Sequence, residues 1–283
     1  MTISEPNAAQ AQLWNGVGGR AWVDLAAVLD HTLQPFEELL ADWVAARPIA
    51  QRRRVLDIGC GTGATTLAVA ARLGRGHECT GLDISEQMID VARTRAHAGH
   101  LPVDFMVGDA QSFAFPASGF DVLMSRFGVM FFDDPVAAFT NLRRATRKGG
   151  RLVFVCWRTP EENPFMSTAE RVAGPLLPAL SPQTVGQPGP SAFADPARVR
   201  HILDHSGWTG STIDAIDVVC TMPEHDLMPY LTTMGPVGRI LTTVDDDTHA
   251  RVVAALEDGY AQFVIDGEVR YTAACQMVTA TAH

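Results

Sequence analysis

The stretch Val55–Gly63, VLDIGCGTG, runs apolar into a carboxylate and then sets a glycine at every second position. A short apolar run of this kind is expected as a strand buried on both faces. Gly59, Gly61 and Gly63 then free the backbone for a tight turn that side chains would block. The segment that follows, ATTLAVAARLG, carries Leu67, Ala70, Ala71 and Gly74 at helical spacing. The glycines therefore lie between the carboxyl end of a strand and the start of a helix, where a ligand can approach bare backbone.

Working outward, the two hydrophobic periods alternate. RVLDIG, ECTGLDI, VDFMVGDA, FDVLMSR and GGRLVFVCW read as strands, separated by helical segments that include Met88 to His97 and Pro135 to Arg147. Strand and helix repeated in this order predict a parallel sheet with helices on both faces. Ahead of the first strand, Gln10 to Ala46 reads as helix, with Leu33, Phe36, Leu39, Leu40, Trp43 and Val44 on one apolar stripe that must cover something. Beyond Trp157 the texture changes: 8 of the 17 prolines fall between Pro160 and Pro196. That density predicts a long surface excursion near the ligand, without regular helix or central strand. The pattern resumes with a helix, PARVRHILDHSG, and a strand, STIDAIDVVC. Helical segments 226–243 and 247–263 follow, then a last strand, VRYTAACQMVTATA.

Composition narrows the function classes. With 283 residues, 47% hydrophobic and 19% charged, the chain can bury a sizeable core. A net charge of −10 argues against a broad nucleic-acid or anionic-membrane footprint, both of which require a positive face. The basic runs Arg52–Arg54 and Arg143–Lys148 are expected to solvate a strand entrance and a helix C-terminus. Five scattered cysteines, with no C-x-x-C pair and no His/Cys cluster at ligand spacing, predict reduced thiols and no metal. The polar N-terminus MTISEPNAAQ and the lack of any apolar run near ~20 residues predict a cytoplasmic protein with no membrane partner.

Glycine spacing alone does not choose a ligand, because Gly59, Gly61 and Ala64 also satisfy the loose dinucleotide pattern G-x-G-x-x-G/A. The acids decide. Asp57 stands where a dinucleotide enzyme brings pyrophosphate, and a carboxylate there repels phosphate and suits an ammonium or sulfonium charge. Asp83, 20 residues after Gly63, ends the second strand, where it can accept hydrogen bonds from both ribose hydroxyls. Asp109 ends the third.

With these residues in place, the chain resembles the class I S-adenosylmethionine-dependent methyltransferases, particularly the ubiquinone/menaquinone-biosynthesis type that acts on small molecules. VLDIGCGTG is similar to that family's first motif, GLDIS to its ribose-binding acid motif, GDAQ to its adenine-edge motif and FDVLMSRFGVMFF to its fourth-strand region. LRRATRKGGRLVFVCW resembles the helix-turn-strand that follows. The resemblance covers about Val55 to Trp157. It implies a Rossmann-like, doubly wound seven-stranded α/β sheet with a helical N-terminal cover and a helical insert before the last strand. The expected division is 1–50 for the cover, 51–221 with 267–283 for the cofactor domain, and 222–266 for the insert. Carried onto this sequence, the cofactor contacts fall on Asp57, Gly59, Cys60, Gly61 and Gly63, on Asp83, Ile84 and Met88, on Gly108, Asp109, Ala110 and Gln111, and on Ser125 and Arg126. Trp14 and Trp22, flanking a glycine cluster, fit a cover over the cofactor's amino-acid end, with Arg20 a candidate for its carboxylate.

The implied cofactor is S-adenosyl-L-methionine, converted to S-adenosyl-L-homocysteine. Its methyl is already activated, so alignment and exclusion of water do most of the work and no catalytic base is assigned. His31 and His225 lie in segments that could cover the pocket, but a lone histidine is more often structural or solvated. The acceptor pocket is expected after the fourth strand, from Phe127 and Met130, facing Trp157, Tyr230, Met234 and Arg239, while Phe131 and Phe132 are expected in the core. Gly128 is expected to let this turn approach a ligand. Such a pocket suits an aromatic or lipophilic small molecule methylated on oxygen or carbon. An aminopropyl or N-methyl transferase, and a non-catalytic cofactor-binding regulator, are the rival readings. The N/D-P-P-aromatic motif of base-modifying enzymes is missing from SRFGVMFF.

Overall fold

The computed structural model describes residues 7–46, 52–180 and 186–283; the first six residues of the polar N-terminal stretch and residues 181–185 of the proline-rich excursion lie outside that description, as do 47–51. Three helices, α1 (Ala8–Trp14), α2 (Val17–Asp24) and α3 (Ala26–Ala45), precede β1 (Arg54–Ile58). Then come α4 (Ala64–Leu73), β2 (Glu78–Asp83), α5 (Glu86–Ala98), β3 (Val103–Val107), β4 (Phe120–Arg126), α6 (Pro135–Ala145) and β5 (Thr146–Trp157). The C-terminal part contains α7 (Pro164–Ala173), α8 (Pro196–His205), β6 (Trp208–Pro223), α9 (Glu224–Thr233), α10 (Gly235–Leu241), α11 (Asp246–Tyr260), β7 (Val264–Ile265) and β8 (Glu268–Ala282).

The strands form one sheet in the order β3-β2-β1-β4-β5-β8-β6, with β8 antiparallel to both β5 and β6. Chain order runs outward in one direction from β1 to β3 and in the other from β4 to β5, so the topological switch lies between β1 and β4. Ligands of open α/β sheets bind outside the carboxyl ends at such a point. Seven strands carry the expected doubly wound arrangement. The eighth, β7, is a two-residue strand that pairs only with β8.

The central strands are apolar because helices cover both faces. Leu56, Leu123 and the run Leu152 to Cys156 are fully buried, and a side chain of leucine or phenylalanine size buried this completely contributes about 1.5–3 kcal/mol. The α3 stripe seats Leu33, Phe36, Leu40 and Val44 in the core, against α4 and the β4, β5 and β6 strands. Thus the cover is structural along α3, whereas α1 buries no side chain and α2 buries only Gly19 and Ala21.

Two local expectations are corrected. Pro164 to Ala173 is a regular helix despite the proline density, because Pro164 occupies its first turn, where the missing N–H is not needed, and the next proline, Pro175, comes after its end. The α6 helix also stops at Ala145 and β5 begins at once with Thr146, ahead of the glycines that suggested its start.

Candidate cofactor and acceptor site

At the carboxyl ends of β1, β2 and β3, beside the switch point, one continuous cavity of about 630 Å³ opens. Its first half is built by the glycine turn. Gly59, Gly61 and Gly63 have φ of 65°, 55° and 86°, the left-handed region that L side chains rarely adopt. Each serves a different end. A Cβ on Gly59 would lie 2.7 Å from the Gly128 Cα, so these two glycines let the β1 and β4 turns touch back to back. A Cβ on Gly63 would strike Ala92 and Phe105 at 2.9 Å, so that glycine seats α4 against α5 and β3. Only at Gly61 would a Cβ stand in the cavity, 3.5 Å from the Trp22 indole nitrogen and 3.9 Å from the Met88 sulfur.

Asp83, at the end of β2, faces the same space. Its Oδ2 accepts the Gly61 N–H at 2.8 Å and its Oδ1 accepts the Ser85 N–H at 2.9 Å. Burial raises this carboxyl above its usual range, while the N–H donors from Ser85, Gly61 and Ile84 pull it back. Asp109 lines the cavity from the end of β3, its Oδ1 accepting from Asn7 Nδ2 at 2.8 Å and from the Gln111 N–H at 2.9 Å. Arg126, at the end of β4, also reaches the cavity and is paired with Glu37 of α3 at 2.9 Å, both largely buried. Burial raises the Glu37 carboxyl and Arg126 opposes the rise. Two acids around one already neutralised guanidinium favour a cationic ligand here.

Of the residues expected at the cofactor, Trp14, Trp22, Gly59, Gly61, Asp83, Ile84, Met88, Gly108, Asp109, Ala110 and Arg126 line the cavity. Six do not. Asp57 is sealed behind the turn, with Oδ2 accepting from the Thr66 hydroxyl at 2.6 Å and Oδ1 without a partner; burial pushes its carboxyl up to about 7. Cys60 turns into a separate apolar cluster with Ile89, Ala92 and Phe105, its sulfur packed over Gly81 of β2. Gly63 is the packing glycine described above. Gln111 is spent on the Asp134 N–H at 3.0 Å, and Ser125 is a fully buried staple that donates to the Ile58 carbonyl at 2.7 Å and accepts the Gly128 N–H at 3.1 Å. Arg20 is exposed on the outer side of α2, so it does not face this space.

The N-terminal turn between α1 and α2 is held on the β2–α5 loop. Ser85 Oγ and Gln87 Nε2 donate to the Trp14 carbonyl at 2.6 and 3.0 Å, and Asn15 bonds the Ile84 carbonyl and the Glu86 N–H, both at 2.9 Å. Trp14 then meets Phe131 edge-to-face at 5.1 Å and Trp22 at 6.1 Å.

The other half of the cavity is aromatic. Phe127, Met130, Trp157, Tyr230, Met234 and Arg239 all line it, as expected. Phe127 adopts φ 63°, rare for a bulky residue, and is held there by stacking on Trp157 at 4.4 Å and 6° and by Phe36 at 5.0 Å. Phe131 and Phe132, expected in the core, are only half-buried and line the cavity, because the 3-10 turn Val129–Phe131 rotates them toward it. Gly128 lines the cavity too, but its bare backbone is required by the 2.6 Å approach of a Cβ to the Ile58 carbonyl. Phe165, Met166 and Glu170 of α7, with Tyr260 and Tyr271, complete the lobe. Sequence reasoning missed these: α7 lay within the stretch read as irregular. It missed Asn7 as well, buried and bridging Asp109 to the Asp133 N–H at 2.7 Å. His31 and His225 do not line the cavity. Among the described residues no cluster of metal-binding side chains occurs, and no helix is long and apolar enough to cross a membrane.

A switch-point cavity with acids at the ends of β2 and β3 over a glycine turn is the arrangement in which an α/β sheet binds a nucleoside cofactor. The family described as a methyltransferase domain matches residues 56–154. Residues 56–154 thus carry a methyltransferase domain; the chain is similar to the class I S-adenosylmethionine-dependent methyltransferases, and S-adenosylmethionine is its cofactor. It is 39% identical over 102 residues to aklanonic acid methyltransferase DauC of Streptomyces sp. (strain C5), a match spanning 36% of this chain and 46% of that one. It is 26% identical over 268 residues to nocamycin O-methyltransferase of Saccharothrix syringae, spanning 90% and 95% of the two chains. It is 33% identical over 132 residues to the ubiquinone/menaquinone biosynthesis C-methyltransferase UbiE of Ruegeria sp. (strain TM1040), spanning 46% and 50%. Among solved structures, the YcgJ protein of Bacillus subtilis shares the fold at a TM-score of 0.57 and 19% identity, covering 88% of this chain and 98% of that one. The residues present fit the cofactor: Asp83 has acceptor capacity to spare, and the Gly61 cradle is one that a Cβ would fill.

Proposed function

We propose that the protein methylates oxygen or carbon of an aromatic or lipophilic, polyketide-like small molecule. The observation that carries this reading is the continuity of one cavity from the acid-lined, glycine-floored half into a lobe walled by Phe127, Trp157, Phe165 and Tyr230. Such walls favour a flat apolar acceptor, and Arg239 in the same lobe favours an anionic or carbonyl oxygen over a cationic amine. Relatives named aklanonic acid methyltransferase and nocamycin O-methyltransferase support a small-molecule acceptor and, in the second case, transfer to oxygen. The bound cofactor supplies an electrophilic methyl; the chain holds it and the acceptor in line and keeps water out. In this reading residues 1–50 cover the cofactor, 51–221 and 267–283 bind it, and 222–266 shape the acceptor lobe.

The test is formation of S-adenosylhomocysteine with a pool of phenols, quinols, aromatic polyketides and amines. Turnover confined to the hydroxylated or enolisable aromatics supports the reading. Turnover confined to amines overturns it, and so does tight cofactor binding without turnover of any acceptor.

A further inference from the structure

The ionisable side chains that line the cavity divide by what they already hold. Asp83 and Asp109 accept backbone and Asn7 donors, and Arg126 is paired with Glu37. The Tyr260 hydroxyl donates to the Phe165 carbonyl at 2.6 Å and accepts the Ala169 N–H at 3.1 Å, and the Tyr271 hydroxyl is engaged with Cys220. Glu170, Arg239 and the Tyr230 hydroxyl remain, with no hydrogen bond or ion pair among the described residues. Among the described residues no histidine, lysine or cysteine lines the space. Glu170 is therefore the sole cavity-lining carboxylate among the described residues that no other group has claimed, and it sits in the aromatic lobe, away from the acids of the glycine turn.

We propose, on the reading of an aromatic hydroxyl or enol acceptor, that Glu170 is the general base that takes the acceptor's proton and that Arg239 at the rim holds the acceptor's second, anionic or carbonyl oxygen. In the step, the acceptor O–H bond breaks and its proton goes to a Glu170 carboxylate oxygen. The oxygen pair forms the new O–CH3 bond while the S–CH3 bond breaks, its pair going to the sulfonium sulfur, which becomes a neutral thioether. The proton later leaves Glu170 to solvent, since the side chain is only half-buried. Half-burial holds the Glu170 carboxyl above the usual range, and the Arg239 charge opposes that rise. A raised carboxyl is a stronger base once ionised, closer to the acidity of an activated phenol or enol. Tyr260 from α11 faces it with a hydroxyl pushed upward by burial and therefore neutral near pH 7; the other tyrosines of the cavity, Tyr230 from α9 and Tyr271 from β8, are raised in the same way, and Arg171 is its chain neighbour on α7.

The probes are hydroxynaphthalenes and hydroxyanthraquinones graded by hydroxyl acidity. Glu170→Gln should lower kcat by about 100-fold or more for the least acidic acceptors, the usual scale for a general base. The loss should shrink steadily toward acceptors already ionised at neutral pH. The acid limb of the wild-type kcat profile, set by protonation of Glu170, should disappear, and Glu170→Asp should recover part of the rate. Calorimetric affinity for S-adenosylhomocysteine and thermal stability should stay unchanged. Arg239→Ala should raise the KM of acceptors bearing a second oxygen at least tenfold, with no such effect on plain naphthols. An unchanged kcat in Glu170→Gln, or a loss equal for all acceptors, overturns the base assignment and leaves the acceptor class standing. Failure of the wild type to methylate any of these probes overturns the acceptor class and the base together.

Discussion

Replacing Asp83 with asparagine keeps the side-chain shape and removes the charge, so it isolates what the carboxylate contributes to cofactor affinity. An ionised carboxylate offers about four acceptor sites. The Gly61 and Ser85 N–H groups each hold one oxygen and the Ile84 N–H also draws on the carboxylate, which leaves acceptor capacity for the ribose hydroxyls. The amide has acceptor capacity on its oxygen only, and its NH2 must face one of those backbone donors and one hydroxyl at once. At least one charge-assisted hydrogen bond is lost, about 1.5–3 kcal/mol, or about a 10- to 150-fold weaker complex. Asp83→Ala goes further, since it also leaves both N–H groups without their acceptor and loosens the glycine turn. Titration calorimetry with S-adenosylhomocysteine, run beside thermal melts, reads affinity and folding separately. Affinity of Asp83→Asn within twofold of wild type, in a variant that melts normally, would refute the assignment of Asp83 to the ribose.

Three other perturbations have definite outcomes. Gly61→Val should abolish measurable cofactor binding in calorimetry while the sheet still folds by circular dichroism, because the branched side chain meets both a φ of 55° and the cavity floor between Trp22 and Met88. Asp57 has a folded carboxyl raised to about 7, so the stability it contributes is present at low pH and falls as pH rises from about 4 to about 7. Asp57→Asn should therefore gain stability relative to wild type between pH 5 and pH 8 in paired denaturant melts, by an amount on the order of a few kcal/mol; equal slopes for both proteins would contradict the buried charge. Phe127→Ala removes the stack on Trp157 and should raise acceptor KM by about tenfold or more while cofactor affinity stays within twofold; the reverse pattern would move this residue into the cofactor site.

The N-terminal turn offers a further check. Because α1 and α2 bury few side chains while Trp14 and Trp22 wall the cavity, removing residues up to Asp24 should cost turnover far more than melting temperature. Removal through residue 32 cuts into α3, whose Leu29 and Thr32 are buried, and should cost both.

The sequence by itself determined the succession of strands and helices along the chain, the position of the glycine turn and the acids that end successive strands. These follow from short-range physics: apolar runs set buried strands, glycine permits left-handed backbone, and a strand end followed by a helix fixes where a carboxylate emerges. It also marked α3 by its apolar stripe and the aromatic turn after β4. Tertiary structure decided which neighbours in those motifs face the ligand. Cys60 and Gly61 are adjacent in the chain, yet one packs behind the turn and the other floors the cavity. Ser125, which looks like a ligand contact beside Arg126, is spent bonding the β1 carbonyl 67 residues away. Gly128 is required by Gly59, not by a ligand. Asn7 acquires its role only when Asp109, 102 residues later, is brought beside it. Glu170 comes to line the aromatic lobe of the cavity only because α7 packs against α10 and α11. Contacts at such separations leave no periodic trace in the chain, because what selects the side chain is the partner that folding delivers.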